Sequence, residues 1–169
     1  MTGPAELNPS RLLGLLTARG VDYVLIGGLA AVLHGSATLT QDVDICFARD
    51  EGNLLALAKA LGELGAKLRG VGEPVPFVPD ERTLRQAELL TLETSAGPLD
   101  LVAVPSGAPT YEVLRRRAQR LDLGAFSVHV ASIEDLIAMK RAAGRPKDLL
   151  AIEELEAIMR VGRAQAASR

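Results

Sequence analysis

Two neighbouring segments near the N-terminus decide the fold. Residues 21–28 read Val-Asp-Tyr-Val-Leu-Ile-Gly-Gly, an alanine-rich segment follows, and residues 40–45 read Thr-Gln-Asp-Val-Asp-Ile. The two apolar runs predict strands, and the segment between them predicts a short helix. Side chains alternate between the faces of a strand, so we expect Asp42 and Asp44 to point the same way while Val43 points into the core.

The order of these motifs indicates a chemistry. Two carboxylates on one face of a strand are suited to bind a divalent cation, or to bridge two cations about 3.5–4 Å apart. Gly27 and Gly28 leave only backbone between their N–H groups and an approaching phosphate. Either motif alone is weak, because Asp-x-Asp is common at exposed strand ends and Gly-Gly is common in turns. Together, in the order strand, Gly-Gly, helix and Asp-x-Asp strand, they favour phosphoryl or nucleotidyl transfer.

Composition sets the broad class of protein. The 169 residues, 48% of them hydrophobic, predict a single domain over residues 1–169. No apolar run reaches the roughly 18 residues that span a bilayer, so we expect no membrane partner. Cys46 is the only cysteine, which excludes an intrachain disulfide and fits a reducing, cytoplasmic location. The net charge of −2 argues against a general nucleic-acid binder.

Further along the chain, periodicity and turn residues predict the remaining elements. The first helix is expected to begin at Asn8-Pro9 and to end at Gly20, and the short helix behind the glycines is expected over 29–34. The other predicted elements are a helix over 54–64, an irregular loop over 70–79, a hairpin over 88–104, a helix over 110–117, strands near 121–123 and 126–130, a helix from Ser132, a last helix over 147–160, and a frayed tail after Val161.

A third carboxylate and a basic cluster extend the candidate site. Asp100 is the only charge in the apolar run over 98–104, and an ionised carboxylate in such a strand must lie at an edge, be paired or bind a metal. On a strand beside Asp42 and Asp44 it would complete a metal-binding face or accept a proton. A basic cluster follows, which is either a solvated helix face or a triphosphate site: Lys140, Arg141, Arg145 and Lys147.

These motifs resemble those of a known superfamily. The motifs are Gly27-Gly28, His34-Gly35, Thr40-x-Asp42-x-Asp44, the segment 97–101, the segment 132–140 and the segment 144–148. Their pattern resembles the nucleotidyltransferase superfamily with the polymerase-beta-like fold. It is more closely similar to the small bacterial branch related to the toxin component of AbiE-type abortive-infection systems. The resemblance covers about residues 20–157.

The resemblance implies a fold and a reaction. The fold would be α/β (α+β), a mixed twisted sheet with flanking helices, with a nucleotidyltransferase core over about 20–130 and C-terminal helices over 131–160 that close the pocket. The reaction would be Mg²⁺-dependent (or Mn²⁺-dependent) transfer of a nucleoside monophosphate from an NTP to an acceptor, with release of pyrophosphate. The acceptor would be a protein, a tRNA or a small molecule. In a toxin–antitoxin setting the partner would be a cognate antitoxin or toxin.

The resemblance also implies residue roles. Those at the metal and the reacting atoms would be Asp42, Asp44 and Asp100, with Asp100 either the third ligand or the base. Those at the nucleotide would be Gly27, Gly28, Thr40, Lys140, Arg145 and Asp148. Within this second group, Lys140 would contact the triphosphate, and Asp148 would orient Lys140 or Arg145.

One departure from the pattern keeps two alternatives open. Relatives often carry Arg two residues before the Thr of Thr-x-Asp-x-Asp, and this chain has Thr38 there. Loss of that cation favours a catalytically weak binding module that acts as an antitoxin or regulator, whereas the three acids argue for an enzyme. A second alternative is transfer to an aminoglycoside-like molecule, for which a cation-attracting pocket is needed and only Glu73, Asp80 and Glu81 offer support.

Overall fold

A seven-stranded mixed sheet forms the centre of the molecule. The computed structural model describes residue 3, residues 5–70, residue 72 and residues 75–169. The strand order across the sheet is β3-β4-β5-β2-β1-β7-β6. The strands are β1 (Tyr23–Ile26), β2 (Val43–Phe47), β3 (Lys67–Leu68), β4 (Leu89–Thr94), β5 (Gly97–Val102), β6 (Gln119–Asp122) and β7 (Ser127–Val130).

Helices flank this sheet. They are α1 (Pro9–Ala18), α2 (Gly27–Leu33), α3 (Glu51–Glu63), α4 (Glu81–Gln86), α5 (Tyr111–Arg117), α6 (Ile133–Ala143) and α7 (Pro146–Ala167). The side chain of Asn8 caps α1 by accepting a hydrogen bond from the Arg11 N–H, and Ser132 caps α6 in the same way. Gly144 ends α6 in the left-handed conformation, with φ of 62°.

Three central strands bring the predicted acidic motifs together. β2 pairs antiparallel with β1 and parallel with β5, and β1 also pairs parallel with β7. The sheet is therefore mixed, as predicted, and the predicted α/β class with flanking helices is confirmed. In this register Asp44 lies between Ile26 of β1 and Asp100 of β5.

The core consists of aliphatic side chains. Val43 and Ile45 of β2 are fully buried, as the alternation predicts, and they pack with the buried faces of α1 and α3. The fully buried leucines of those two helices include Leu12, Leu16, Leu54, Leu57 and Leu61. Burial of one such side chain stabilises the fold by about 1.5–3 kcal/mol. Helices held this tightly fix the strands from which the site is built.

Several element boundaries differ from the predictions. The short elements β3 and α4 have no clear periodic pattern in the sequence and were not expected. The helix behind the glycines begins at Gly27 rather than at Leu29, so the glycines form its first turn. The expected frayed tail after Val161 is wrong, because α7 continues to Ala167 through residues with high helix propensity, Arg-Ala-Gln-Ala-Ala.

The predicted loop over 70–79 is described only in part. Val71, Glu73 and Pro74 lie outside the described residues, and residues 75–80 carry neither helix nor strand. Among the residues that are described, no helix has both the length and the apolar character to cross a membrane.

Candidate active site

Gly27 stands where β1 turns into α2, directly under Asp44. Its φ is 71°, which is strained for any residue with a side chain, and a Cβ atom there would lie 2.3 Å from Asp44 Oδ2. A Cβ on Gly28 would meet Thr40 Oγ1 at 3.1 Å. The glycine pair therefore does more than leave space for a ligand, because it lets Asp44 and Thr40 pack against the start of α2.

Asp42, Asp44 and Asp100 line one cavity. Asp44 of β2 is the Cα partner of Asp100 of β5, and Asp42 comes directly before β2 on the same face as Asp44. The Thr40 hydroxyl donates to the Asp42 carbonyl at 2.9 Å and so fixes the chain as it enters β2. The structure thus brings together the three acids that the sequence singles out. Their chemical roles stay predictions.

Burial and neighbouring carboxylates raise the pKa values of Asp44 and Asp100. Burial, reinforced by the charges of Asp42 and Asp100, raises the pKa of Asp44 to about 7. Burial also raises the pKa of Asp100, although the nearby Arg69 guanidinium acts in the opposite direction. The cluster therefore has more negative charge than its protein neighbours neutralise, which is typical of a site for a cation.

Arg69 is a site residue that the sequence reasoning missed. Its Nη2 donates to Asp100 Oδ1 at 2.6 Å and lies 4.0 Å from Asp42 Oδ2. It follows the two-residue strand β3, and its N–H donates to the Thr91 carbonyl of β4 at 2.9 Å. The one available signal is that Lys67 and Arg69 alternate like residues on one face of an edge strand.

A cationic group faces the acids from the C-terminal helices. Asp148 is almost fully buried and accepts two side-chain hydrogen bonds from Arg145, at 2.8 and 3.2 Å. Lys140 Nζ lies 4.0 Å from the same carboxylate. The hydrogen bonds from Arg145 hold the pKa of Asp148 below its ordinary value. Asp148 therefore contacts both cations at once and holds them at the cavity.

Glu154 of α7 is the second missed site residue. It accepts hydrogen bonds from Ser36 Oγ and from the Ala37 N–H, both at 2.7 Å, and from Thr38 Oγ1 at 3.5 Å. It thereby ties the loop that leads into the Asp-x-Asp strand to the last helix. Its signal in the sequence was helical spacing, since Lys147, Ala151 and Glu154 follow one another at intervals of four and three residues along α7.

The three carboxylates and the cations Lys140 and Arg145 line one cavity of about 520 Å³. All nine residues predicted for the site line it, which are Gly27, Gly28, Thr40, Asp42, Asp44, Asp100, Lys140, Arg145 and Asp148. Thr38, Lys147 and Glu154 line it as well, together with the exposed side chains of Leu39 and Leu150. Acids at the sheet and cations at the helices suit a ligand that carries both phosphates and a metal ion.

Other reactive side chains lie elsewhere. His34 ends α2, and its Nε2 is 2.7 Å from the Ala131 carbonyl, so it has a structural contact there. Cys46 is buried in β2. Asp80 caps α4 and Glu81 pairs with Arg85 on that helix, so neither lines the cavity; Glu73 lies outside the described residues.

The acidic cluster fits a magnesium or manganese ion in its donor set. Carboxylate oxygens are the ligands that these ions prefer. Burial raises the pKa of Asp44, and the charges of Asp42 and Asp100 add to this effect; a bound cation would act against it. Within the described part of the chain, no three carboxylate, imidazole or thiol groups stand close enough together to form a ready-made metal site.

A comparison with known protein families agrees with this fold. The family model described as "Nucleotidyltransferase of unknown function (DUF6036)" matches residues 11–162, and the chain belongs to this family. The match includes every predicted site residue. No curated protein matches the chain in sequence.

Solved structures show the same fold at low sequence identity. The crystal structure of the lincosamide antibiotic adenylyltransferase LnuA, lincomycin-bound, is similar with a TM-score of 0.61 and 17% identity, over 90% of this chain and 99% of that chain. The solution structure of the antibiotic-resistance factor ANT(2″)-Ia has a TM-score of 0.53 and 15% identity, over 94% and 90% of the two chains. At such identities the likeness establishes the fold and leaves substrates open.

Proposed function

We propose that this protein transfers a nucleoside monophosphate from an NTP to an acceptor hydroxyl, with a divalent cation held by Asp42, Asp44 and Asp100. The single observation that carries the proposal is the cavity in which three carboxylates at the central strands face Lys140 and Arg145. We further propose that the chain works as one domain, in which residues 131–160 close the pocket over the core at 20–130.

The chain's own side chains suggest how the step would proceed. The acceptor oxygen forms a bond to the α-phosphorus, the bond from that phosphorus to the bridging oxygen breaks, and pyrophosphate leaves. Asp100 takes the proton from the acceptor hydroxyl. Lys140 and Arg145 neutralise charge on the departing pyrophosphate, and Asp148 orients both cations. When bound, the metal ion would supply charge neutralisation at the phosphates.

The acceptor distinguishes two versions of this function. A protein or tRNA acceptor in a toxin–antitoxin setting, with a cognate partner protein, follows from the resemblance to the AbiE-type branch. A small-molecule acceptor follows from structural neighbours that adenylylate antibiotics. The cavity also contains Glu154 and the exposed Leu39 and Leu150, which would present a mixed charged and apolar surface to an acceptor.

A catalytically weak binding module is the second candidate. The observation that favours it is Thr38, which is held by Glu154 at the position where relatives often carry Arg. Such a module would bind NTP through the same residues but would transfer nothing. It would act as an antitoxin or regulator.

One assay separates these candidates. The protein would be incubated with Mg²⁺ and each of the four α-labelled NTPs, together with whole-cell RNA, lysate protein, or a lincosamide and an aminoglycoside. Asp44→Asn is the control, because it removes one acid at the metal side. Label transferred by the parent and not by the variant identifies the acceptor class. If no label is transferred but NTP with Mg²⁺ raises the melting temperature of the parent alone, the binding module replaces the enzyme.

A further inference from the structure

Arg69 lies at the acidic cluster, and the reaction proposed above gives it no role. Its guanidinium is about two-thirds buried, and the Asp100 carboxylate that it contacts is more deeply buried still. A fully exposed ion pair contributes little to stability because solvent screens its charges. The Arg69–Asp100 pair, at 2.6 Å, is partly buried and is therefore screened less. Any group that binds the same oxygen of Asp100 has to displace this contact.

The sheet aims Arg69 at the acids. Leu68 is the partner of Leu92, so Arg69 stands opposite Thr91, to which its N–H donates. Thr91 is the partner of Asp100, and Asp100 is the partner of Asp44. Side chains in one such row project from one face of the sheet, and two strand spacings separate Arg69 from Asp100 by about 10 Å between Cα atoms. The long arginine side chain spans that gap over Thr91.

The position of the guanidinium has a direct electrostatic consequence. Arg69 lies between Asp100 and Asp42, at 2.6 and 4.0 Å from their oxygens. A divalent cation bound by the same carboxylates would be repelled by the guanidinium and would compete with it for the oxygen of Asp100. The guanidinium and the divalent cation cannot both bind Asp100 Oδ1 at full strength.

We propose that Arg69 competes with the divalent cation for Asp100 and so sets the metal affinity of the site. The inference rests on the proposed function, because it takes the acidic cluster as the metal site. In this arrangement Arg69 neutralises part of the negative charge of Asp100 and Asp42 before metal and nucleotide arrive. Full engagement of Asp100 then requires the Arg69 ion pair to break.

The test is a calorimetric titration of the full chain with Mn²⁺, without nucleotide, so that no turnover contributes. Arg69→Met removes the charge but keeps a long apolar side chain, and Arg69→Gln is a second neutral variant in case the first does not fold. Arg69→Lys keeps the positive charge. Arg85→Met is the matched control, because Arg85 pairs with Glu81 on α4, outside the cavity.

The expected result is Mn²⁺ affinity about tenfold higher in the neutral Arg69 variants, as follows from loss of one nearby competing charge. Arg69→Lys and Arg85→Met should bind as the parent does. The gain should disappear when Arg69→Met is combined with Asp100→Asn. Unchanged or weaker binding in the neutral variants would overturn the proposal, as would an equal gain in Arg85→Met.

Asp44→Asn separates this inference from the proposed function. If the parent binds Mn²⁺ and Asp44→Asn does not, the acidic cluster is the metal site. An Arg69→Met variant with the Mn²⁺ affinity of the parent would then refute the competition but not the proposed function. If neither the parent nor the neutral Arg69 variants bind Mn²⁺, both the competition and the metal-dependent function are refuted.

Discussion

The acidic and the cationic sides of the cavity are held in place by different means. Asp44 and Asp100 are neighbours in a hydrogen-bonded ladder, so their separation follows from the register of β2 and β5. Lys140 lies on α6 and Arg145 directly before α7, and their placement depends on the single buried carboxylate of Asp148. One side is fixed by backbone, and the other by side-chain contacts.

This difference teaches which side can adapt to a ligand. A sheet register shifts only when many backbone hydrogen bonds break, so the backbone positions of Asp44 and Asp100 are fixed before a ligand binds. Side-chain ion pairs rearrange at much lower cost, so the cations can move toward a triphosphate as it binds. Substitutions on the acidic side should therefore affect stability as well as activity, whereas those on the cationic side should affect activity with little change in stability.

The largest expected effect tests the backbone-held side at Gly27. Gly27→Ala places a Cβ at 2.3 Å from Asp44 Oδ2 and adds a side chain at a φ of 71°. We expect the free energy of unfolding to fall by about 3 kcal/mol or more, which lowers the melting temperature by about 6–12 °C. Calorimetric melting in the presence of EDTA measures this.

Gly20→Ala is a matched control, since Gly20 has the same φ of 71° but open space around it. It should cost only the strain of the left-handed conformation, about 1 kcal/mol. Equal losses in the two variants would mean that contact with Asp44 contributes nothing, and the idea that the glycine makes room for this acid would be falsified.

The next effect tests the cationic side at Lys140. Lys140→Ala should lower nucleotidyl transfer about 10²-fold, or about 2.7 kcal/mol in the activation free energy, because one preorganised charge at the leaving group is lost. The melting temperature should change little. The rate is measured at saturating Mg²⁺ and NTP.

Arg141→Ala serves as its control, because Arg141 lies on the same helix but pairs with Glu156. Arg141→Ala should retain the parent rate. An effect of Lys140→Ala that is tenfold or smaller would transfer the role to Arg145 or Lys147, which line the same cavity.

The same difference explains what the sequence could predict. The acids and glycines are local signals, because period-two alternation and the Gly-Gly pair determine direction and spacing within a few residues. Arg69 reaches Asp100 only through the register of β3, β4 and β5, which no local pattern contains. Glu154 binds Ser36 across 118 residues of sequence. Both of these contacts depend on long-range pairing, and the sequence analysis missed them for that reason.

A third effect concerns how the raised pKa of Asp44 makes stability depend on pH. The pKa of Asp44 is about 7 in the folded protein, against an ordinary value of 3.8. Between those pH values the folded chain keeps a proton that the unfolded chain releases, so this group's contribution to stability is lost as the pH rises toward 7. Asp44→Asn avoids that loss.

In EDTA, Asp44→Asn should therefore melt at a higher temperature than the parent at pH 8, by about 4–8 °C for about 2 kcal/mol. The gain should shrink as the pH is lowered to 5, where Asp44 of the folded parent is protonated. Saturating Mg²⁺ should stabilise the parent more than the variant. A gain that does not vary with pH would show that Asp44 is not the group responsible.

The smallest effect concerns the link between the two sides. Glu154 joins α7 to the loop over 36–38, and the hydrogen bond from the Ala37 N–H, with that from Ser36, holds the pKa of Glu154 below its ordinary value. Glu154→Gln keeps the size of the side chain, but it removes the charge and turns one acceptor into a donor. The loop that leads to Asp42 should then become less ordered.

We expect Glu154→Gln to raise the KM for NTP about fivefold, or about 1 kcal/mol, with kcat within a factor of two of the parent. KM should rise because α7 loses its hydrogen bonds to the loop over 36–38, which weakens the cavity that binds NTP. The rate constant kcat should change little because the pairing of β2 with β5, which positions Asp44 and Asp100, stays intact. Glu153→Gln, an exposed neighbour on α7, should leave both constants unchanged. A fall in kcat with KM unaltered would instead mean that Glu154 acts on the reacting groups themselves, and the two sides of the cavity would then not be independent.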